Sequence, residues 1–137
     1  MTKEGSIYKA LLDMVVALNL TPPLPVVWPN QTTAPPPDGT AYLEVSVFNN
    51  KIDRLFLSGG PDRHKGIMQV LLKWPLNQDE LPAIDIAGEI VSHFRVDDPY
   101  WINGIKVTIT ERPSIGDGVP TKVSWEVPVS VPYEAFA

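Results

Sequence analysis

The chain alternates most cleanly near its end. From Val123 to Val131 every odd position is apolar (Val123, Trp125, Val127, Val129, Val131), and the even positions are Ser124, Glu126, Pro128 and Ser130. A period of two predicts a strand with one buried face. Pro128 has no N–H for a ladder, so the strand is expected at a sheet edge, or with its Pro128 side turned from a neighbour. Pro132 is expected to stop it. Ala41 to Phe48 also alternates, with Leu43, Val45 and Val47 on one face and Tyr42, Glu44, Ser46 and Phe48 on the other. Asn49-Asn50 then predicts a turn. Ile52 to Leu57 reads as a second strand, partly exposed through Asp53 and Arg54. His64 to Trp74 is the longest, with Met68, Val70, Leu72 and Trp74 on one face and Ile67 and Leu71 on the other. A strand apolar on both faces is central and covered twice, or covered once by helices and once by another subunit. Ile105 to Ile109 points Ile105, Val107 and Ile109 inward, and Leu24 to Trp28, bounded by Pro25 and Pro29, is at best an edge strand.

Two segments change period. Over residues 4–19, Ile7, Leu11, Met14 and Leu18 fall at helical spacing, with Val15 widening the stripe, and Thr21-Pro22-Pro23 ends it. Asn77 to Phe94 predicts a second helix, with Asn77 and Glu80 as a capping pair and Pro82 in the first turn. Its apolar face gathers Leu81, Ile84, Val91, Ile86, Ile90 and Phe94, interrupted by Gly88. A mid-helix glycine costs about 1 kcal/mol relative to alanine, so close packing against a neighbour is expected at Gly88. Asn30 to Gly39, Ser58 to Asp62, Asp97 to Pro99 and Arg112 to Thr121 read as loops. The order predicts one α+β domain over residues 1–137: a largely antiparallel sheet with two helices packed on one face.

Composition narrows the function classes. The 137 residues suit a single domain. The absence of cysteine excludes disulfides, thiolate metal sites and a cysteine nucleophile, and fits a reducing compartment. A net charge of −5 without a basic stripe argues against specific nucleic-acid binding. No apolar run approaches the roughly 20 residues of a membrane helix, so a soluble, cytoplasmic chain with no membrane contact is expected. With no signal peptide, the glycosylation-like Asn30-Gln31-Thr32 is expected to be a chance match.

No constellation points to catalysis. Gly59 to Gly66 has glycines but no Gly-Lys-Ser/Thr, so it predicts a mobile hairpin loop instead of a phosphate cradle. Its Arg63-His64-Lys65 suits an acidic partner surface. His93 and Asp97 are too few for a metal, and His93 is expected in a last helical turn, where a cation suits the dipole. Gly-x-Ser-x-Gly is absent, and Asp79-Glu80 and Asp97-Asp98 read as solvated caps. The chain is therefore expected to need no cofactor and to be no enzyme. Trp28, Trp74 and Trp125 suit core or rim packing, whereas Trp101, beside Tyr100 in a loop, suits an interface anchor. The candidate interface residues are Arg54, Arg63, His64, Lys65, Tyr100, Trp101, Arg112 and Lys122.

Several segments taken together carry a resemblance. Ile7-Tyr8-Lys9-Ala10-Leu11 leads into Val27-Trp28-Pro29-Asn30 and then Pro37-Asp38-Gly39-Thr40-Ala41-Tyr42-Leu43-Glu44-Val45. Gly66-Ile67-Met68-Gln69-Val70, a helix ending in Phe94, Arg112-Pro113-Ser114-Ile115-Gly116 and Val127-Pro128-Val129-Ser130-Val131-Pro132-Tyr133 follow. In order and spacing the chain resembles the small tail terminator, or tail completion, proteins of long-tailed bacteriophages, of the lambda-like type. The resemblance implies an α+β subunit of a hexameric ring. That ring caps the tail tube, halts its growth and presents a surface to the head-side connector. The implied partners are further copies of the chain, the tail tube protein and a head-side connector or neck protein. The implied location is the head-proximal end of the virion tail, reached from the host cytoplasm. The resemblance brings no catalytic residues and assigns no interface residue. Another neck, adaptor or tube component, or a small β-rich ligand-binding module using Tyr100 and Trp101, stays open. Ring formation also suits the patterning, since strand edges must be covered or blunted and head-to-tail contacts close into rings. The loops around Ser58 to Lys65 and Arg112 to Lys122 are the segments expected to reach a neighbour or the tube.

Overall fold

The computed structural model describes residues 1–21, 23–29, 40–49, 52 and 60–137. Helix α1 spans Lys3–Val16 and α2 spans Leu81–His93. The strands are β1 (Val26–Val27), β2 (Tyr42–Asn49), β3 (Arg63–Trp74), β4 (Tyr100–Ile102), β5 (Ile105–Ile109), β6 (Ser114–Ile115), β7 (Val119–Pro120) and β8 (Trp125–Phe136). The strand expected at Ile52 to Leu57, the Asn30 to Gly39 loop and the turn at Asn49-Asn50 lie outside the described residues, in whole or in large part.

All eight strands join one sheet in the order β1-β2-β3-β8-β5-β4, with β6 and β7 also paired to β8. β1 runs parallel to β2, and the other pairs are antiparallel. The sheet is thus mixed, which corrects the expectation of a largely antiparallel one. The chain between β1 and β2 is long enough for the crossover that a parallel pair needs.

The terminal strand is not an edge. β8 pairs with β3 along its whole length, from Arg63↔Phe136 to Trp74↔Trp125. On its other side β5, β6 and β7 pair with it in succession. The prolines explain that patchwork. Within an extended residue N–H and C=O point the same way. Pro128 O accepts from Gly116 N at 2.8 Å, and Pro132 O accepts from Thr110 N at 3.2 Å. Both prolines therefore turn their missing N–H away from β3, towards the breaks between β5 and β6 and between β6 and β7. Pro132 does not stop the strand, because the β3 side never needed its N–H. Gly118 crosses β8 closely, for a Cβ there would sit 2.3 Å from Trp125 Nε1.

The alternation predicted from sequence is the one that builds the core. Leu43 and Val45, Met68, Val70 and Leu72, Val107 and Ile109, and Val127, Val129 and Val131 are all buried. They share one cluster with Ile7, Ala10, Leu11, Met14 and Val15 of α1 and Ala83, Ile86, Ala87, Ile90 and Val91 of α2. Thr2 caps α1 by accepting from Gly5 N at 3.1 Å. His93 lies in the last turn of α2, as expected, and its Nε2 is 2.8 Å from Met14 O, tying the two helices.

Two local expectations on α2 fail. Asn77 does not cap it: Asn77 is a turn residue at φ 61°, and Asp79 Oδ1 accepts from Leu81 N at 3.1 Å instead. Gly88 is not packed against a neighbour, since a Cβ there meets nothing within 4 Å. At Gly66 the opposite holds. A Cβ would lie 2.4 Å from Phe48 O and 2.7 Å from the Tyr133 hydroxyl. Tyr133 lies across β3 at this glycine, and its hydroxyl donates to Asn49 Oδ1 at 2.8 Å.

The two glycines predict opposite signs. Gly66→Ala is expected to destabilise the fold by about 1–3 kcal/mol through overpacking. Gly88→Ala is expected to stabilise it by about 1 kcal/mol through helix propensity. Urea unfolding followed by tryptophan fluorescence checks both; equal effects at the two sites would contradict the packing described.

Candidate functional site

Strand alternation leaves a second face on the sheet. It carries the even residues of β2, the odd residues of β3, Trp101 of β4, Lys106 and Thr108 of β5, and the even residues of β8. Five large apolar side chains stand open on it: Trp101 (63% exposed), Phe48 (57%), Val119 of β7 (54%), Ile67 (44%) and Phe136 (41%). Isolated exposed apolar residues are ordinary, but contiguous ones mark contact surfaces. The register makes Phe48 and Ile67 direct neighbours and sets Trp101 and Phe136 on either side of Lys106. Trp101, Lys106, Phe136 and Arg63 form one row across β4, β5, β8 and β3. Phe48, Ile67 and Pro132 form another across β2, β3 and β8. Between them lies the polar row Thr108, Glu134 and Lys65. A shallow hollow of about 430 Å³ opens between Phe48, Ile67, Pro132 and Glu134.

The other end of this face is closed by charge. Lys73 is half-buried and hydrogen-bonded to Glu126, its direct cross-strand partner, with Glu44 at 3.6 Å. Burial pulls the Lys73 ammonium downward, but the hydrogen bond and charge of Glu126, joined by Glu44, outweigh it and hold its pKa above the ordinary value. Burial alone raises the Tyr133 phenol.

The structure gathers some of the candidate interface residues and scatters others. Arg63 and Lys65 lie on the open face, in β3 and not in a hairpin loop. His64 points to the other side, towards a hollow it shares with Tyr8, Asn49 and Tyr133. Tyr100 and Trp101 form β4 and not a loop. Tyr100 turns inward and donates to Asp13 Oδ2 at 3.2 Å, while Trp101 turns out to the open face. Arg112 is at the rim of a hollow beside Asp85, Gly88 and Glu89 of α2, and Lys122 is exposed in a turn closed by Thr121 N to Ser124 O at 2.7 Å. Arg54 lies outside the described residues.

Phe48, Ile67, Lys106 and Phe136 belong to the face but were not singled out from sequence. A signal for their grouping was present. Asn103-Gly104, with φ of 49° and 78°, is a two-residue hairpin turn that pairs β4 with β5 and aligns Trp101 with Lys106. Among the described residues, no group of three or more His, Cys, Asp or Glu is placed to hold a metal ion. No helix of the described residues is long and apolar enough to cross a membrane.

A sequence model described as phage tail terminator protein matches residues 6–133. A solved structure is similar over 96% of this chain and 92% of its own, with 26% identity and a TM-score of 0.72. No curated protein matches.

The cation at the closed end sets an alkaline limit. A lysine pKa raised on folding stabilises the fold fully below the ordinary 10.5, and that contribution is lost as pH climbs through the folded value. Tyr133, raised from 10.0, acts with the same sign in the same window. The urea midpoint is expected to stay level up to about pH 9 and to fall above about pH 10, less steeply in Lys73→Met. An unchanged slope in Lys73→Met would remove the pair from this account.

Proposed function

The chain belongs to the phage tail terminator family, and from that membership we propose that it acts as a ring of identical subunits, six in number, seated on the end of the tail tube. The ring stops tube polymerisation and offers its far side to a head-side connector. Its partners are other copies of the chain, the tail tube protein and the connector or neck protein. Its place is the head-proximal end of the tail, reached from the host cytoplasm during assembly. The role is structural, carried by surfaces and not by a reacting group.

The observation that best supports a ring is the open face of the sheet. One side of the sheet is sealed by the core cluster, while the other keeps Phe48, Ile67, Trp101 and Phe136 in solvent. An apolar, basic-rimmed face on an acidic chain suits a protein contact. A contact between unlike patches of identical subunits closes into a ring when the rotation allows, and such a ring ends a tube because it offers the next tube subunit a different surface.

Electron microscopy of the protein mixed with purified tail tubes tests the reading. The expected result is tubes of limited length carrying a ring at one tip. Protein that polymerises into tubes of its own would make it a tube subunit, and tubes that never carry it at a tip would end the proposal.

A further inference from the structure

Trp74 and Trp125 face each other directly across β3 and β8. Their indole N–H groups fare differently. Trp74 Nε1 donates to Asp79 O at 3.1 Å. Trp125 Nε1 is sealed from solvent and meets no acceptor among the described residues. We propose that the segment from Gly116 to Pro120 is a strap that opens as a unit, and that the unpartnered indole N–H of Trp125 beneath it holds the strap ready to open. This goes beyond the ring reading and does not depend on it.

The seal over the indole is made by backbone. Pro120 lies opposite Trp125 in the β7–β8 pair, and Gly118, two residues earlier, lies against the same side chain. A Cβ on Gly118 would sit 2.3 Å from Trp125 Nε1 and 2.4 Å from Cε2, so only glycine lets the chain come this close. Buried polar groups are almost always paired, and a donor left without a partner carries the full cost of its lost hydration. Closing the strap incurs that cost, and lifting it returns the N–H to water.

Little opposes the lifting. β7 has two residues, and Pro120 has no N–H to give to its ladder. The two ends are tied: Gly116 N donates to Pro128 O at 2.8 Å, and Thr121 N donates to Ser124 O at 2.7 Å. Between them Asp117, Val119 and Pro120 are exposed, and a hollow of about 340 Å³ lies beside Pro120 and Trp125. Segments with few buried contacts open at a free energy well below that of global unfolding. The sheet beneath does not depend on the strap, because β8 stays paired with β3 along its whole length. A carbonyl or carboxylate that reaches the freed indole binds the open form and draws the equilibrium towards it.

Hydrogen exchange of the full-length, nitrogen-15-labelled chain, followed by nuclear magnetic resonance, tests the strap. The indole proton of Trp125 and the amide of Gly116 are expected to exchange together, at least about a hundredfold faster than the amides of Val127 and Val129 in the β3–β8 ladder. An indole proton that exchanges only with the ladder overturns the proposal. The role of the missing partner is tested by replacing Trp125 with benzothienylalanine, which keeps the ring shape and puts sulfur in place of the N–H. Exchange at Gly116 is expected to slow by about tenfold while the ladder is unchanged. The same replacement at Trp74, whose N–H is already bonded, is expected to leave Gly116 as it was. Unchanged or faster exchange at Gly116 in the Trp125 replacement, or equal slowing from both positions, overturns the assignment to the indole. Gly118→Ala gives a second check, since its Cβ wedges the strap away from the ring. Gly116 is expected to lose its protection while Val127 and Val129 keep theirs. Loss of protection in the ladder as well would make the strap part of the core and end the proposal.

Discussion

The antiparallel pairing of β3 with β8 is the interaction on which everything else is hung. Twelve residues on each strand are in register without a break. Antiparallel strands store register in every cross-strand pair, and a slip of one residue would move Met68, Val70 and Leu72 from the core to solvent together with Val127, Val129 and Val131. The short strands would be marginal alone. They gain stability by attaching to a ladder already fixed: β2 to the outer side of β3, and β5, β6 and β7 to the outer side of β8. The same ladder defines both faces. Its buried parity sets the core, and its other parity holds Ile67 and Phe136 out in solvent.

Much of this was legible in the sequence, because alternation reports directly on strands with one buried face. β2, β5 and the inward residues of β3 and β8 follow from period two, and α1 and α2 follow from helical spacing to within a few residues at their ends. The readings that failed depend on partners distant in the chain. Pro128 says only that one side of its strand lacks a donor. Which side, and whether another segment fills it discontinuously, depends on Gly116 and Thr110 arriving there. The loop read at Arg112 to Thr121 hides β6 and β7 because two residues are too few to show a period. β4 reads as a loop because three residues are too few to show a period, although Asn103-Gly104 announces its hairpin.

The interaction surface was only partly legible for a related reason. Charge clusters in sequence drew attention to Arg63-His64-Lys65, but strand geometry splits that run between two faces. His64 turns towards the Tyr133 side, while Arg63 and Lys65 stay with the aromatic rows. Tyr100 and Trp101 divide in the same way, one donating to Asp13 and the other standing in solvent. A surface on a sheet is composed by register, so its members come from strands far apart in the chain. No single motif announces it.

The broken side of β8 has a consequence for how such a chain can change. Where a ladder is continuous, an inserted residue must bulge or shift the register of everything beyond it. Between Ile109 and Trp125 there is no continuous ladder to disturb, since Pro128 and Pro132 place the interruptions where β5, β6 and β7 hand over to one another. Lengthening a surface connection costs only a slowly growing loop entropy. The short connections between β5, β6 and β7 can therefore lengthen while the pairing of β3 with β8 holds the core in alignment.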